Sequence, residues 1–250
     1  MPATDWGWQI APEELESWIV QNDDRFLVVN KPGLVVCHPS KHGPWSSLIG
    51  ACREYLGVER LHMPSRLDRE TSGVVVLAKQ AEWGSKLQKA IQLRNVRKRY
   101  LAILDGTLQD PITVDQPIGR DTRDTKVWTK QWVNTTDGAP AQTEFKPIGW
   151  RGQYTLAEVR PHTGRLHQIR VHAAWLGCAV AGDKVYGPDE NLYIEFIATG
   201  WTDAMAQRLP MQRQALHAVE LIFHLETGED LTFTAPEAAD MAAFWDSIPR

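Results

Sequence analysis

The chain has 250 residues, enough for one domain with a sizeable core. Hydrophobic residues make up 43% and charged residues 23%, and the formal net charge of -4 argues against a protein that coats nucleic acid through overall basic charge. No stretch approaches the roughly 20 apolar residues of a membrane helix, and the first residues lack the pattern of a signal peptide. The three cysteines, Cys37, Cys52 and Cys178, have no zinc-site spacing and fit a reducing compartment. The composition therefore predicts a cytoplasmic protein.

Helices and strands are predicted to alternate along the first hundred residues. Residues 1–11 are expected to form a tail, and Pro12 with the acids that follow it predicts a short helix over 12–20. Short apolar, β-branched runs predict strands. The further predicted elements are strands at 25–30, 34–36 and 74–78, a loop at 38–47, and helices at 47–56 and 81–93.

The second part of the chain yields fewer predictions. Residues 108–142 are expected to be irregular, and 191–214 give no clear pattern. The segments TGE and Thr234 to Glu237 indicate a hairpin turn and a capping box. The pattern favours one α+β domain over 12–250, with a mixed, largely antiparallel sheet flanked by helices. The predicted elements are strands at 100–104 and 154–160, a helix at 163–176 capped by Gly177, a strand and loop at 178–187, a hairpin of 216–225 with 230–234, and a helix at 235–247.

Asp68 lies on a charged loop that leads into the predicted strand at 74–78. Arg66 and Arg69 flank it, and nearby guanidinium groups favour an ionised carboxylate. An ionised aspartate suits a nucleophile or a base better than a general acid. The alternative interpretation is a solvated turn in which Asp and Ser serve only the backbone.

A run of cations begins in the predicted helix at 81–93 and continues beyond it, with no acid between Trp83 and Leu104. Such a run indicates a surface that faces phosphates, although cations at the end of a helix are also explained by the helix dipole. Tyr100 follows directly, either as a core aromatic or as a platform for an unstacked base. The cations are Lys86, Lys89, Arg94, Arg97, Lys98 and Arg99.

The predicted helix at 163–176 places Arg170 at the margin of an apolar stripe. A guanidinium there needs a carboxylate or a phosphate, and Asp68 is the candidate carboxylate, unless Arg170 extends to water. His167 and His172 face about 140° apart on a helix, which disfavours a metal site. These histidines, with His162, are expected to lie at the surface or to form hydrogen bonds, RNA contacts included. The stripe consists of Leu166, Ile169, Ala173 and Leu176.

Several motif blocks, taken in order, resemble those of the RluA-type RNA pseudouridine synthases. They are VVNKPGLVVCHPS (28–40), RLDRETSG (66–73), KRY (98–100), GRLHQIRVH (164–172), GDKVYG (182–187) and LHAVEL (216–221). The resemblance spans about residues 20–240. Ser65 stands where the family usually has His, which affects a local role of that imidazole, and Cys37 makes the first block slightly irregular. The chain has no room for the N-terminal S4 domain of some relatives.

The resemblance implies isomerisation of uridine to pseudouridine in ribosomal or transfer RNA, without cofactor or metal. Asp68 would be the catalytic aspartate, by attacking C1′, adding to the base or removing a ribose proton. Tyr100 would stack on the flipped target base, and Arg170 would pair with Asp68. The implied RNA contacts are Arg66, which would hold the vacated space, and Arg97, Lys98, Arg99, Arg165 and His167.

Two alternatives from other classes accompany this prediction. A chain of the same fold could be an inactive RNA-binding or assembly module, and the histidines could belong to a metal-dependent hydrolase of nucleic acid. The protein is expected to be a monomer. Segments 115–140 and 188–214 are the places where we expect RNA specificity to be encoded.

Overall fold

The computed structural model describes residues 8–38 and 42–249, so residues 1–7 of the tail predicted at 1–11, loop residues 39–41 and residue 250 lie outside the described residues. The chain divides into two compact units. Unit 1 comprises residues up to 98 together with 218–238, and unit 2 comprises 99–217 together with the residues from 239 onward. Every strand pairing given below with its register is antiparallel, and the fold is α+β as predicted.

Unit 1 contains the neighbouring strands β1 (Ile19–Asn22), β2 (Phe26–Lys31), β3 (Ser72–Ala78) and β10 (Leu216–His224), and β11 (Asp230–Thr234) pairs with β10 outside this order. Strand β10 begins in unit 2. Strand β3 is buried along its whole length. It pairs with β2 in a register that runs from Lys31↔Gly73 to Phe26↔Ala78. The elements are α1 (Pro12–Trp18), β1 (Ile19–Asn22), β2 (Phe26–Lys31), a 3-10 helix (Pro44–Ser46), α2 (Leu48–Leu56), β3 (Ser72–Ala78), α3 (Ala81–Gln92), the start of β4 (Val96–Asp105), most of β10 (Leu216–His224) and β11 (Asp230–Thr234).

Several predictions for unit 1 are confirmed, and three are wrong. The predicted strand at 34–36 is absent because Leu34 has a φ of 69° and the Val35 carbonyl accepts from a buried lysine. Ile10 belongs to the core rather than to a tail, since it is 1% exposed and its amide donates to the Trp45 carbonyl. The helix predicted at 235–247 does not include residues 235–238 of unit 1, because the Ala235 amide still donates to the Val219 carbonyl of β10.

Unit 2 contains a second run of neighbouring strands, in the order β4, β9 (Tyr154–Pro161), β8 (Gln142–Arg151) and β5 (Ile112–Asp115), and a separate two-stranded hairpin of β6 (Ile118–Arg120) and β7 (Gln131–Val133). The hairpin packs through Ile118 and Val127 on Val171 of helix α4 (Gln168–Trp175) and on Tyr186. The elements are most of β4, β5 (Ile112–Asp115), β6 (Ile118–Arg120), β7 (Gln131–Val133), β8 (Gln142–Arg151), β9 (Tyr154–Pro161), α4 (Gln168–Trp175), α5 (Asn191–Thr199), α6 (Asp203–Ala206) and α7 (Ala239–Ser247).

The prediction that residues 108–142 are irregular was wrong, since this segment contains three short strands. The strand expected within 178–187 is reduced to a bridge between Val180 and Leu104. Gly182 then turns the chain with a φ of 75°, and the Asp183 carboxylate accepts from the amides of Val185 and Tyr186. Within the described residues, none of the helices has the length and apolar character needed to cross a bilayer.

Candidate active site

The loop that carries Asp68 lies in unit 1, directly before β3. Asp68 is half-buried, and its carbonyl accepts a hydrogen bond from the Thr71 amide at 3.2 Å. On the other side of the aspartate, Cys37 Sγ donates to the Leu67 carbonyl at 3.4 Å. The backbone is therefore held on both sides of the carboxylate.

Lys31 fixes this loop from β2. Its ammonium group is fully buried and donates to three backbone carbonyls, those of Pro32 at 2.9 Å, Val35 at 2.9 Å and Arg69 at 3.1 Å. A lysine ammonium has three donors, and hydrogen bonds to charged groups offset the cost of removing the charge from water. Lys31 thus ties the residue after Asp68 to the turn that follows β2. The sequence analysis missed this role although Lys31 lies in the block VVNKPGLVVCHPS.

Arg66 is exposed, two residues before Asp68. His38 lies within its electrostatic reach. Partial enclosure, and secondly the charge of Arg66, lower the pKa of the His38 imidazole below its ordinary value. His38 is therefore neutral at pH 7, and Arg66 supplies the positive charge at this place in unit 1.

Helix α4 of unit 2 begins at Gln168, five residues later than predicted. His167 has a left-handed φ of 57°, which no helical residue adopts, and Leu166 is 46% exposed rather than part of a buried stripe. The six residues that follow His167, from Gln168 to Ala173, are all buried. Arg170 therefore lies inside unit 2 and not at the margin of an apolar face.

The Gln168 side chain holds the loop that precedes α4. Its Oε1 accepts from Thr163 Oγ1 at 2.7 Å and from the Arg165 amide at 3.0 Å. Its Nε2 donates to the Gln142 carbonyl and to Thr143 Oγ1, both at 2.9 Å. One buried amide thus satisfies four partners, and the backbone that carries Arg165 is fixed against β8.

Arg170 forms a buried, two-pronged ion pair with Asp183. Arg170 Nε donates to Oδ2 at 2.6 Å and Nη2 donates to Oδ1 at 2.9 Å, while Arg170 is 6% exposed and Asp183 is fully buried. Burial alone would raise the pKa of Asp183, but the charge and hydrogen bonds of Arg170 and the amides of Tyr186 and Val185 outweigh it and lower the pKa. Asp183 belongs to the block GDKVYG, to which the sequence analysis gave no role.

Tyr186 completes the surroundings of Arg170. Its ring lies 4.9 Å from the Arg170 guanidinium carbon. The Tyr186 hydroxyl is 2.8 Å from His167 Nδ1 and accepts from the Gln131 amide of β7 at 2.9 Å. Asp183 and Tyr186 therefore fix the guanidinium from two sides, and His167 is held in place by the same tyrosine.

The other two histidines of this region have separate partners. His172 is fully buried, with Nδ1 2.8 Å from Thr143 Oγ1 and Nε2 3.0 Å from the Gln116 carbonyl. Burial is the main cause that lowers the pKa of His172, so it is a neutral, structural residue. His162 Nε2 lies 2.9 Å from a carboxylate oxygen of Glu144. Among the described residues, no three or more His, Cys, Asp or Glu side chains are grouped to hold a metal ion.

Tyr100 lies in β4, opposite Val159 of β9, and is half-buried. Side chains alternate along a strand, so Tyr100 shares one face of β4 with Lys98, whereas Arg97 and Arg99 share the other. Burial lowers the pKa of Lys98. Arg97, Lys98 and Arg99, which were expected to contact the RNA together, therefore belong to two different faces of β4.

The cationic run has more counter-charge than its sequence indicated. The run itself contains no acid, but acids from outside the run supply counter-charge to three of its members. The pairs are Lys86–Glu82 at 2.6 Å, Lys89–Glu226 at 2.5 Å and Arg99–Glu158 at 3.8 Å.

Comparison with known proteins gives concordant matches. The sequence model of the family described as RNA pseudouridylate synthase matches residues 25–175. Ribosomal large subunit pseudouridine synthase D from Vibrio vulnificus is 36% identical over 239 residues, which cover 93% of this chain and 70% of that protein. An uncharacterized RNA pseudouridine synthase, YlyB from Bacillus subtilis, is 33% identical over 96% of this chain and 76% of its own length.

A solved structure shows the same fold. Human RNA Pseudouridylate Synthase Domain Containing 4 superposes with a TM-score of 0.70 at 25% identity, covering 96% of this chain and 97% of that one. Fold and sequence together define an RNA-modifying isomerase. The chain belongs to the RluA-type RNA pseudouridine synthase family, and it is an enzyme that isomerises uridine to pseudouridine in RNA.

Proposed function

We propose that this enzyme modifies specific uridines of large-subunit ribosomal RNA, with Asp68 as the catalytic carboxylate. The substrate is supported by the names of several relatives, including those from Vibrio vulnificus and Xanthomonas campestris, at 36% and 35% identity. The observation that carries the catalytic assignment is the fixed loop of unit 1, in which buried Lys31 holds the backbone next to Asp68. A loop held by a rigid scaffold is a favourable place for a reactive side chain.

The reaction is an internal rearrangement of one nucleotide. The bond between C1′ and N1 breaks, the uracil turns, and C5 forms a new bond to C1′, so that the proton of C5 is lost and N1 gains one. A paired or stacked uridine must first leave the helix. In this proposal Arg66, which is exposed beside the loop, holds the vacated space. Tyr100 stacks on the flipped base.

Arg170 is proposed to orient Asp68 through a second ion pair. A guanidinium has five N–H donors in a fixed plane, so one arginine can serve two carboxylates. The pair with Asp183 and the ring of Tyr186 support this role, because they fix the guanidinium plane within unit 2 before any substrate binds. Preorganised charge of this kind costs no rearrangement during the reaction.

The remaining RNA contacts are proposed to be electrostatic. Arg97 is exposed and suits a phosphate, and Arg99 shares its strand face. Lys98 belongs with Tyr100 and would act close to the target nucleotide. Arg165 and His167 flank the start of α4, where their backbone is fixed, and are proposed to contact the RNA. A modifier of ribosomal RNA acts in the cytoplasm, and we propose that it acts as a monomer, which light scattering of the purified protein tests.

Pseudouridine mapping tests the proposed substrate. Unmodified transcripts of large-subunit ribosomal RNA, small-subunit ribosomal RNA and a set of transfer RNAs are incubated with the purified protein. The proposal predicts pseudouridine at defined positions of the large-subunit transcript only. Modification confined to transfer RNA would contradict the proposed substrate while leaving the reaction intact.

A further inference from the structure

Trp128 is the most exposed large hydrophobic residue described, at 75% exposure, and it lies between β6 and β7 of unit 2. The guanidinium carbon of Arg120 is 3.3 Å from the centroid of its ring. Arg120 is itself exposed at the end of β6. The two side chains form a stacked pair at the surface, here termed the Arg120–Trp128 platform.

The backbone beneath this platform is held firmly. Val127, the neighbour of Trp128, is 2% exposed and packs in the core of unit 2. The two residues before Val127 are held by the Glu190 carboxylate, which accepts from Thr125 Oγ1 at 2.8 Å and from the Lys126 amide at 2.7 Å. An exposed tryptophan on an anchored segment loses little conformational freedom when a ligand stacks on it.

Charge compensation distinguishes Arg120 from Arg123 and Lys130 of the same segment. Arg123 donates to both oxygens of Asp121, at 2.9 Å and 2.8 Å, and Lys130 pairs with Glu190 at 2.7 Å. Across the described ranges, no carboxylate lies within 4.0 Å of the Arg120 guanidinium. The platform therefore presents an aromatic face together with an uncompensated positive charge.

We infer that the Arg120–Trp128 platform binds an unpaired nucleobase of the RNA substrate, other than the target uridine. This combination suits single-stranded RNA, because bases stack on aromatic rings and arginine planes while the positive charge attracts the phosphates. A protein partner would be favoured by a wider apolar patch, whereas the Trp128 ring is stacked with the charged Arg120 side chain. The inference rests on the proposed function and names a feature of its substrate, an unpaired base.

Fluorescence anisotropy with a labelled 12-nucleotide single-stranded RNA of mixed sequence tests the platform, with the matching 12-base-pair duplex as a second probe. Trp128→Ala is expected to weaken binding of the single strand by about tenfold and to change duplex binding by less than about twofold. Trp150→Ala is the matched control, since Trp150 is a tryptophan of unit 2 with 50% exposure. Arg120→Gln is expected to reduce the salt slope of binding by about one.

Conservative variants keep the test decisive. Trp128→Tyr retains an aromatic face and is expected to retain most of the affinity, and Trp128→Leu replaces Trp128→Ala if the latter does not fold by circular dichroism. Equal single-strand affinities for the Trp128 and Trp150 variants would overturn the inference, as would a parent protein that does not bind the single strand. If the Trp128→Ala variant lost affinity for the single strand while the parent formed no pseudouridine in any RNA, the proposed function would be rejected but the platform would be supported. Pseudouridine formation by the parent with unchanged affinity of the Trp128 variant would reject the platform alone.

Discussion

The buried pair of Arg170 and Asp183 offers the sharpest prediction about stability. Asp183→Asn keeps the shape of the side chain and one oxygen that can accept from Arg170 Nη2 and from the amides of Val185 and Tyr186. The other oxygen, which accepts from Arg170 Nε at 2.6 Å, becomes an amide donor that faces a donor. Arg170 is left as a buried charge without this carboxylate, which costs about 3–5 kcal/mol. That loss is a large part of the roughly 5–15 kcal/mol that stabilises a typical protein.

Thermal and denaturant unfolding measure this loss. A protein of this size melts about 2–4 °C lower for each kcal/mol, so Asp183→Asn is expected to lower the melting temperature by about 6–20 °C. Asp189→Asn is the matched control, because Asp189 pairs with Arg208 at 2.7 Å but both side chains are 30% or more exposed. Exposed pairs contribute little, so the control should melt with the parent. If Asp183→Asn and Asp189→Asn had the same melting temperature, the reasoning about the buried pair would be refuted.

The same pair predicts a pH dependence. The pKa of folded Asp183 lies below its ordinary value, so the unfolded chain binds more protons as the pH falls. The stabilisation is fully present above the unfolded pKa of about 4 and is lost as the pH falls through the lower folded pKa. The stability gap between the parent and Asp183→Asn should therefore be constant near pH 7 and should narrow below about pH 4. A gap that widens in acid would contradict this sign.

Three further predictions concern the loop, a thiol and the basic strand. Lys31→Met leaves three carbonyls without their ammonium donor and should lower both turnover and the free energy of unfolding, the latter by about 2 kcal/mol in urea titrations; parent-like values of both would contradict the role of Lys31. Burial, and secondly the charge of Cys37, raise the pKa of the Cys52 thiol to about 12. Mass spectrometry should therefore find Cys52 unmodified by iodoacetamide at pH 8 until the protein unfolds, and rapid labelling of the native protein would contradict this protection. Arg97→Gln should reduce the salt slope of RNA binding by about one, and Lys98→Gln by less, because Lys98 is enclosed on the other face of β4; equal reductions would place both side chains on one surface.

Elements with strong local signals were predicted well from the sequence. The continuous apolar run of β3, the hairpin of β10 and β11, and α2 with Gly57 at a φ of 63° follow from patterns within a few residues. Each pattern also agrees with the tertiary environment of its element. Local preference and long-range packing therefore favour the same structure in these places.

Predictions failed where distant partners decide the backbone. The first six residues of α4 are all buried, so an apolar stripe gave no information about where the helix begins, and His167 with Gln168 sets that point. The turn after Gly182 depends on the Asp183 carboxylate. Strands β5, β6 and β7 have three or four residues each, too few for an alternating pattern to be recognised.

The candidate site shows the same division. The residues with a chemical signature, Asp68, Tyr100 and Arg170, could be selected from the sequence. Lys31 and Asp183 could not be assigned roles, because a lysine that binds backbone carbonyls leaves no pattern of side-chain types, and the partner of Asp183 lies 13 residues away. A polar residue within an apolar block, as Lys31 is after β-branched Val28 and Val29, was the available signal.

The rate of pseudouridine formation by Asp68→Asn tests the central claim most directly. Single-turnover assays would use the RNA identified by mapping, with Asp24→Asn, an exposed aspartate of unit 1, as the matched control. Both variants should melt and bind RNA like the parent. We predict that Asp68→Asn forms no measurable pseudouridine while Asp24→Asn matches the parent rate. A rate for Asp68→Asn within about tenfold of the parent, that is within about 1.4 kcal/mol of its barrier, would contradict the assignment of Asp68 as the catalytic residue.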